Sequence, residues 1–443
     1  MLTKEIIHKG FYKHEKFGIV PTGWNVVRLG DYFDFFPTAS YSRSLLTETG
    51  ECLYIHYGDL HTKFERFIDA VKDELPFIPK EMAKKYTPVA EGDLIISDAS
   101  EDYEGVGKAV EVINVGEKTI ISGLHTLHLR AKNNEFINGF KGYILNEARV
   151  RNGILRIATG IKVYSVSKTE LRKIYLPKPP VEEQQAIATI LSKVDEAIKT
   201  TENSIKAAEK LKRSLMQNLL TGKLKTDGTW RREDEFYKDE KFGNVPIGWQ
   251  VKKVKEVSNC LDSKRKPIKA EDRKEIAGEY RYYGAAGIID YVNDYIFDGR
   301  YILFGEDGEN LISRKLPQAF IVEGKFWVNN HAHILESIEN ISDLDFLCYQ
   351  LEFKNYENIV YGSAQPKINK SDLNKIRVLI PDDVNEQLAI SKRISNMDLI
   401  IDKKIKKIKS LQRLKKSLMQ NLLTGKLRVD INKIENILAD ATV

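Results

Sequence analysis

The period of the apolar positions changes along the chain, and it changes the same way twice. From Glu182 to Leu219, apolar or small residues recur at Ile187, Ile190, Leu191, Val194, Ile198, Ile205, Ala208, Leu211 and Leu215. This is helical spacing with a heptad flavour. Pro177, Pro179 and Pro180 precede the run, and Thr221-Gly222 stops it. A second run from Asn385 to Leu422 carries its stripe on Ile390, Ile394, Met397, Ile401, Ile405, Ile408, Leu411 and Leu418. Pro381 stands before it and Thr424-Gly425 after it. Each run predicts a helix of roughly 36 residues, or ~54 Å. Such a stripe needs a partner, and the other run is the obvious one. The expected arrangement is an antiparallel coiled coil related by a pseudo-twofold, with a globular part at each end. One turn of B-DNA is ~34 Å, so a spacer of that size could set two recognition modules roughly one turn apart.

Elsewhere the pattern is short and strand-like. Asn25 to Leu29, Asp93 to Ile96, Ala109 to Ile113, Thr119 to Ile121 and Leu127 to Leu129 predict strands in the first half. Gln250 to Val254, Tyr301 to Phe304, Ala319 to Val322, Phe326 to Val328 and Ile334 to Leu335 do so in the second. Phe136 to Asn146 and Asp343 to Phe353 look helical. The fold class is therefore α/β (α+β), with two similar mixed domains. The expected order is a first domain over 1–181, a spacer helix over 182–226, a second domain over 227–381, and a second spacer with the tail over 382–443.

Two stretches establish a duplication. Phe11-Tyr-Lys-His-Glu-Lys-Phe-Gly-Ile-Val-Pro-Thr-Gly-Trp24 returns as Phe236-Tyr-Lys-Asp-Glu-Lys-Phe-Gly-Asn-Val-Pro-Ile-Gly-Trp249, and Ser214 to Leu224 returns unchanged as Ser417 to Leu427. Weaker echoes pair Tyr57-Gly58 with Tyr283-Gly284, Leu94-Ile95-Ile96 with Tyr301-Ile302-Leu303, and His125 to Leu129 with His331 to Leu335. Gly160, Ser167 and Leu171 pair with Gly362, Asn369 and Leu373. One deletion of roughly 20 residues in the second copy, the counterpart of Glu65 to Tyr86, accounts for most of the changing offset. Like ends and unlike middles suggest two surfaces with one job and two that read different things. Drift after duplication is the bland alternative.

Composition narrows this modestly. With 42% apolar residues the chain has enough for ordinary cores, and its net charge of +6 permits nucleic-acid binding without requiring it. Cys52, Cys260 and Cys348 are too scattered for a disulfide framework or a zinc motif and read as buried free thiols. No apolar run approaches the ~20 residues of a membrane span, and Met1 to Gly10 lacks a signal core, so a cytoplasmic protein is expected. Lys403, Lys404, Lys406, Lys407, Lys409, Arg413, Lys415 and Lys416 give the second helix a basic outer face, either simply solvated or facing a partner or phosphates. In the repeated Ser-Leu-Met-Gln-Asn-Leu-Leu, residues Leu215, Met216, Asn218, Leu219, Leu418, Met419, Asn421 and Leu422 are candidates for partner docking, with helix-end packing as the alternative.

Catalytic motifs are hard to find. Gly116-Glu-Lys-Thr119 lacks the glycine spacing of a phosphate loop. Lys178-Pro-Pro-Val181 lacks the Asn or Asp and the aromatic of an amino-methyltransferase motif. Pro381-Asp-Asp383 lacks a following Glu-x-Lys. His331-Ala-His333 has no third ligand at suitable spacing and reads as two histidines on one strand face. Glu306-Asp307-Gly308 reads as a turn rather than catalytic carboxylates, matching Asp98-Ala-Ser100. No catalytic residue and no metal are expected.

Polar and aromatic residues instead gather at turns in both halves. In the first they are Tyr41, Ser42, Arg43, His56, Tyr57, His61, Lys63, Thr159, Gly160, Lys162 and Tyr164. In the second they are Lys264, Arg265, Lys266, Tyr282, Tyr283, Asn329, Asn330, His331, Ser363, Gln365 and Lys367. Such side chains pair with base edges and hold phosphates, so these are the candidate DNA contacts.

The chain resembles the specificity subunit of type I restriction–modification systems over essentially its whole length. The resemblance rests on the duplicated plan, on Pro21 to Trp24 and Pro246 to Trp249, on Glu183-Gln184 and Glu386-Gln387 opening the long helices, and on Leu-Leu-Thr-Gly-Lys-Leu closing them. It implies two target recognition domains, each reading one part of a split, asymmetric DNA site. It implies helices that bind two modification subunits, which use S-adenosylmethionine to methylate adenine, and restriction subunits that use ATP and Mg²⁺. It implies that this chain itself binds no cofactor and catalyses nothing. Gly160 to Tyr164 and Gly362 to Lys367 match the family's loop before the closing strand, although Thr-Gly-Ile-Lys in the first half departs from Gly-Ser-Ala-Gln-Pro-Lys in the second. A stand-alone DNA-modifying enzyme and a coiled-coil scaffold without DNA binding are the competing readings.

Overall fold

The computed structural model describes residues 5–8, 10–306, 310–356 and 367–430. They form two compact units. One takes the chain up to Thr201 and again from Lys407 onward, and the other takes Glu202 to Lys406. Each unit therefore holds one globular part together with half of each long helix. The helices, α1 (Val181–Leu219) and α2 (Val384–Leu422), have 39 residues each. Their starts and ends agree with the proline and Thr-Gly punctuation to within one residue.

In the first unit five strands matter most: β1 (Phe33–Phe36), β2 (Phe67–Asp69), β3 (Leu94–Ser97), β4 (Ala109–Ile113) and β5 (Thr126–Ala131). They lie in the order β1-β5-β3-β4-β2, antiparallel except for the parallel pair β4–β2. The second unit repeats this with β6 (Ser258–Cys260), β7 (Ala277–Gly284), β8 (Phe297–Gly305), β9 (Ala319–Val328) and β10 (Ala332–Ser337). Their order is β6-β10-β8-β9-β7, again with one parallel pair, β9–β7, and Gly287–Val292 adds an edge. The first unit also has a three-stranded sheet of Thr119–Ser122, Cys52–Ile55 and Phe77–Ile78, whose counterpart is absent among the described residues of the second.

This topology corrects the expected gap. β2 lies inside Glu65 to Tyr86 and has a counterpart, β7, so the second copy does not lack that segment as a block. It also corrects the register. Leu94 and Ile96 face one core with Leu129, while Ile302 and Phe304 face the equivalent core with Leu335. Leu94 therefore matches Ile302, one residue later than the echo by letter. A one-residue slip turns every side chain to the opposite face. The Tyr57 echo fails too, since Tyr57 opens a short helix whereas Tyr283 lies in β7. Ala319 to Val328 is one strand rather than two.

The helix expected over Phe136 to Asn146 shrinks to Lys141–Ile144. The amides of Gly139 and Gly142 donate to the buried Glu111 carboxylate at 2.7 and 2.8 Å, and Gly139 has a left-handed φ of 83°. Both demands bend the backbone away from a longer helix. The main helix here is Ala148–Arg156, capped by the Glu147 carboxylate. In the second unit Leu344–Phe353 forms as expected, capped by Asp343.

Each globular part closes on itself before its helix begins. Asn25–Arg28 pairs with Tyr175–Lys178, and Trp249–Lys253 pairs with Arg377–Pro381. The Glu-Gln pair then locks the junction. The Trp24 indole N–H donates to Glu183 at 2.8 Å, and Arg428 grips the same carboxylate at 2.7 and 2.8 Å. In the second unit the Trp249 indole N–H donates to Glu386 at 3.2 Å, and Arg231 binds it at 2.6 Å. Gln184 accepts from the Ile137 amide and donates to the Glu135 and Pro179 carbonyls. Gln387 does the same with Asp343, Ile341 and Pro381.

The repeated helix ends complete these junctions, which takes Leu219 and Leu422 out of the docking candidates. Leu219 and Leu422 are buried in the two cores, with Leu215, Met216, Leu418 and Met419 packed against them. Asn218 and Asn421 donate back to the Ser214 and Ser417 carbonyls of their own helices. The glycine that closes each segment meets a Pro-x-Gly-Trp turn: a Cβ on Gly222 would strike Pro246, and one on Gly425 would strike Pro21.

Candidate nucleic-acid interface

In the first unit the strand end after β3 organises the polar surface. Ser97 and the Ala99 carbonyl lie 2.9 and 3.2 Å from His61 Nε2. Ala99–Ser100 pairs with Tyr164–Ser165, so the exposed loop containing Thr159, Gly160 and Lys162 is anchored beside it. Tyr164 packs edge-on against Tyr103 at 5.1 Å. Tyr57 sits among His56, His61 and His125, with ring centroids 4.7, 6.1 and 5.3 Å away. Arg43 and Lys63 both meet the buried Asp59, at 2.8 and 3.3 Å.

Two residues of this set serve the fold. His56 is buried, and its Nδ1 accepts from the Gly58 amide to cap the helix at Tyr57–Thr62. Burial pushes its pKa down, keeping the ring neutral. Tyr41 donates its hydroxyl to the Met82 carbonyl and packs on Tyr54 and Tyr86.

The second unit builds its surface from the turn Asp262–Lys264 and the strand end after β8. Lys264 and Lys266 are exposed, and Trp327 donates its indole N–H to the Lys266 carbonyl at 2.6 Å. Arg265 is largely committed: it reaches Glu306 at 2.9 Å and the Asn330 and Ala332 carbonyls at 3.2 and 3.0 Å. Lys367, half-exposed, meets Glu306 at 3.0 Å. Asn330 and His331 are exposed. Tyr283 and Asn329 are buried, which corrects their assignment. Tyr283 lies in a core with Phe326, and Asn329 accepts from the His331 amide. Tyr282, also buried, accepts from the Ile268 amide. Ser363, Gln365 and Gly362 lie outside the described residues.

The two surfaces share a backbone frame where the sequence sets Asp98-Ala-Ser100 against Glu306-Asp307-Gly308. The Asp98 amide donates to the His125 carbonyl and the Glu306 amide to the His331 carbonyl, at 3.1 and 2.9 Å. The Asp98 carbonyl accepts from Val166 and the Glu306 carbonyl from Ile368, at 2.9 and 2.8 Å. A carboxylate therefore occupies the same place in both units. Burial pushes Asp98 up despite His125 at 3.3 Å. Burial would raise Glu306 as well, but Arg265 and Lys367 outweigh it and hold it below its ordinary value. An ionised carboxylate accepts from the exocyclic amines of bases, and neighbouring cations hold phosphates.

Residues 21–210 and 246–413 match the family described as the type I restriction modification DNA specificity domain. The chain belongs to that family. Among its relatives, the putative type I restriction enzyme MjaX specificity subunit of Methanocaldococcus jannaschii is 27% identical, covering 95% of this chain and 98% of that one. The MjaVIII specificity subunit of the same organism is 26% identical over 96% of this chain and 99% of its own. The fold is similar to the crystal structure of the type I restriction–modification S subunit of M. genitalium, with a TM-score of 0.57 and 17% identity over 90% of this chain and 96% of that one. A chain from a structural study of complex assembly and conformational transition in the type I R-M system gives 0.52, with 13% identity over 92% of this chain and 99% of that one. As a specificity subunit, the protein supplies DNA recognition to a type I restriction–modification system. Among its described residues, no helix is long and apolar enough to cross a membrane.

Proposed function

We propose that each unit of this specificity subunit reads one part of a split, asymmetric double-stranded DNA site on behalf of partner subunits in the cytoplasm. The reading rests on the shared carboxylate frame at Asp98 and Glu306, which carries different side chains in the two units. A common scaffold with unlike contacts is what two-part recognition requires. The first unit offers Tyr57, His61, His125 and the loop at Thr159 to Tyr164, and the second offers Lys264, Lys266, Asn330, His331 and Lys367. Two modification subunits bring S-adenosylmethionine and methylate adenine, and restriction subunits bring ATP and Mg²⁺. This chain binds none of these and catalyses no step.

The test exchanges residues 25–175 for those of another specificity subunit and maps methylated adenines across the genome of cells carrying the partners. One half of the recognised site changes and the other stays. A change in both halves, or in neither, overturns the proposal. The purified chain alone, given DNA, Mg²⁺ and S-adenosylmethionine, neither cuts nor methylates. Activity there favours a stand-alone enzyme.

A further inference from the structure

We infer that Cys260, Asp262 and His333 form a site for one divalent cation of the zinc class in the second unit. Cys260 ends β6, Asp262 opens the following turn, and His333 lies in β10, the strand paired with β6. Their sulfur, oxygen and nitrogen atoms all lie within 4.8 Å of one another. The sequence conceals this because the ligands belong to two segments far apart, and the neighbouring His331 points to the wrong pair. His331 precedes the strand and is exposed, whereas His333 is fully buried.

The surroundings are those of a metal ligand set. His333 Nε2–H donates to the Ile368 carbonyl at 2.8 Å, which fixes the ring and turns Nδ1 toward Asp262 at 2.6 Å. A histidine that binds a metal through one nitrogen characteristically donates the other to a carbonyl or carboxylate. Asp262 is oriented as well, its other oxygen accepting from the Ile334 amide at 3.1 Å. A thiolate, a carboxylate and a neutral imidazole together balance a double positive charge. They suit a borderline cation bound at ~2.0–2.3 Å, with a fourth position left for water. Cys260 is only half-buried, which leaves a path in. Arg265 lies 3.1 Å from Asp262 through one nitrogen and 2.9 Å from Glu306 through the other, so Glu306 already holds its charge beside the site. By strand register the first unit has Phe35, Pro37 and Leu127 at these positions, so the site belongs to the second unit alone. A bound ion fastens the turn that carries Lys264, Arg265 and Lys266 to β10.

The test is direct and independent of DNA binding. The full chain, stripped with chelator and titrated with Co²⁺, takes up one ion and shows a thiolate-to-cobalt charge-transfer band. Cys260→Ser abolishes the band, and His333→Gln abolishes stoichiometric uptake. Cys52→Ser and Cys348→Ser, which alter the remote thiols, leave both intact. Circular dichroism establishes that each variant is folded, and X-ray absorption of the zinc-loaded wild type counts one sulfur ligand. The inference fails if the wild type binds no stoichiometric ion, if the band survives Cys260→Ser, or if no sulfur is found on zinc.

Discussion

Tyr143 donates its hydroxyl to the Asp195 carboxylate at 2.7 Å, and Lys415 ion-pairs with the same carboxylate. The second unit repeats the arrangement with Tyr349, Asp398 and Lys212, the tyrosine bond there measuring 2.9 Å. In each unit a globular part, one long helix and an antiparallel stretch of the other meet at a single aspartate. Burial first, and the aspartate charge second, push both tyrosine hydroxyls well above their ordinary pKa, so both remain donors. The burial of the lysines differs: Lys415 is 10% exposed and Lys212 is 25% exposed. Asp195→Ala therefore leaves the more deeply buried cation, with only Glu65 at 3.2 Å to answer it. We expect it to cost ~3 kcal/mol, and Asp398→Ala to cost less. Urea unfolding, followed on each unit's own transition, reads the difference. Equal costs, or a larger loss for Asp398→Ala, contradict this account.

The Glu183 junction makes a second prediction. Its carboxylate serves both the Trp24 indole and the Arg428 guanidinium. Glu183→Gln keeps an acceptor for the indole but removes the charge, at a cost of about 1 kcal/mol. Glu183→Ala orphans the buried indole N–H as well and costs about 2–3 kcal/mol. Thermal unfolding of the two variants should keep that order. If Gln is as damaging as Ala, the arginine rather than the tryptophan dominates.

Much of this was legible from local signals. The two helices follow from stripe, proline and glycine, because a helix bonds only within itself. The matched caps Ser167 and Asn369 follow the same logic, each side chain accepting from the amide three residues on. What was lost depended on pairing across the fold. The register of β3 against β8 was misplaced by one residue, since Leu94 to Ile96 and Tyr301 to Phe304 are unbroken apolar runs and neither alternates. The match of Asp98 with Glu306 was legible all the same, from the turn residues that follow the two runs. Tyr283, Asn329 and His56 have interface chemistry but are buried by strands and helices distant in sequence. Cys260 and His333 become neighbours only when β6 pairs with β10.

Glu111 and Lys141 form a deeply buried ion pair in the first unit, at 0% and 2% side-chain exposure and 3.4 Å apart. Burial pushes the carboxyl up and the ammonium down, so each depends on its partners to stay charged. Lys141 also donates to Asn138, and Glu111 holds the Gly139 and Gly142 amides. Glu111→Ala strands the cation and both amides, and we expect a loss of about 3–5 kcal/mol. Lys141→Met combined with Glu111→Gln retains an acceptor for one of the two amides without a buried charge and should recover part of that loss. Denaturation of the single and double variants measures the coupling, and purely additive losses refute it.

Asp93 gives the clearest dependence on pH. Burial alone would raise its carboxyl, but hydrogen bonds from Arg130 and His128 outweigh it and hold the folded pKa below the ordinary carboxylate value. The geometry is tight: Arg130 binds at 2.7 and 2.8 Å, His128 at 2.6 Å, and the Ala90 amide at 2.7 Å. A carboxyl whose folded value lies below its unfolded one, about 3.9, stabilises fully above that range. The stabilisation drains away as pH falls through the folded value. The first unit should therefore lose stability steeply below about pH 4. Asp93→Asn should be less stable at pH 7 yet flatter against acid, because its amide has no proton to gain. Urea midpoints of the first unit between neutral and acid pH decide the matter. Parallel curves for wild type and Asp93→Asn would show that Asp93 does not carry the acid sensitivity, and that the Arg130 and His128 contacts contribute equally whether or not the carboxyl is charged.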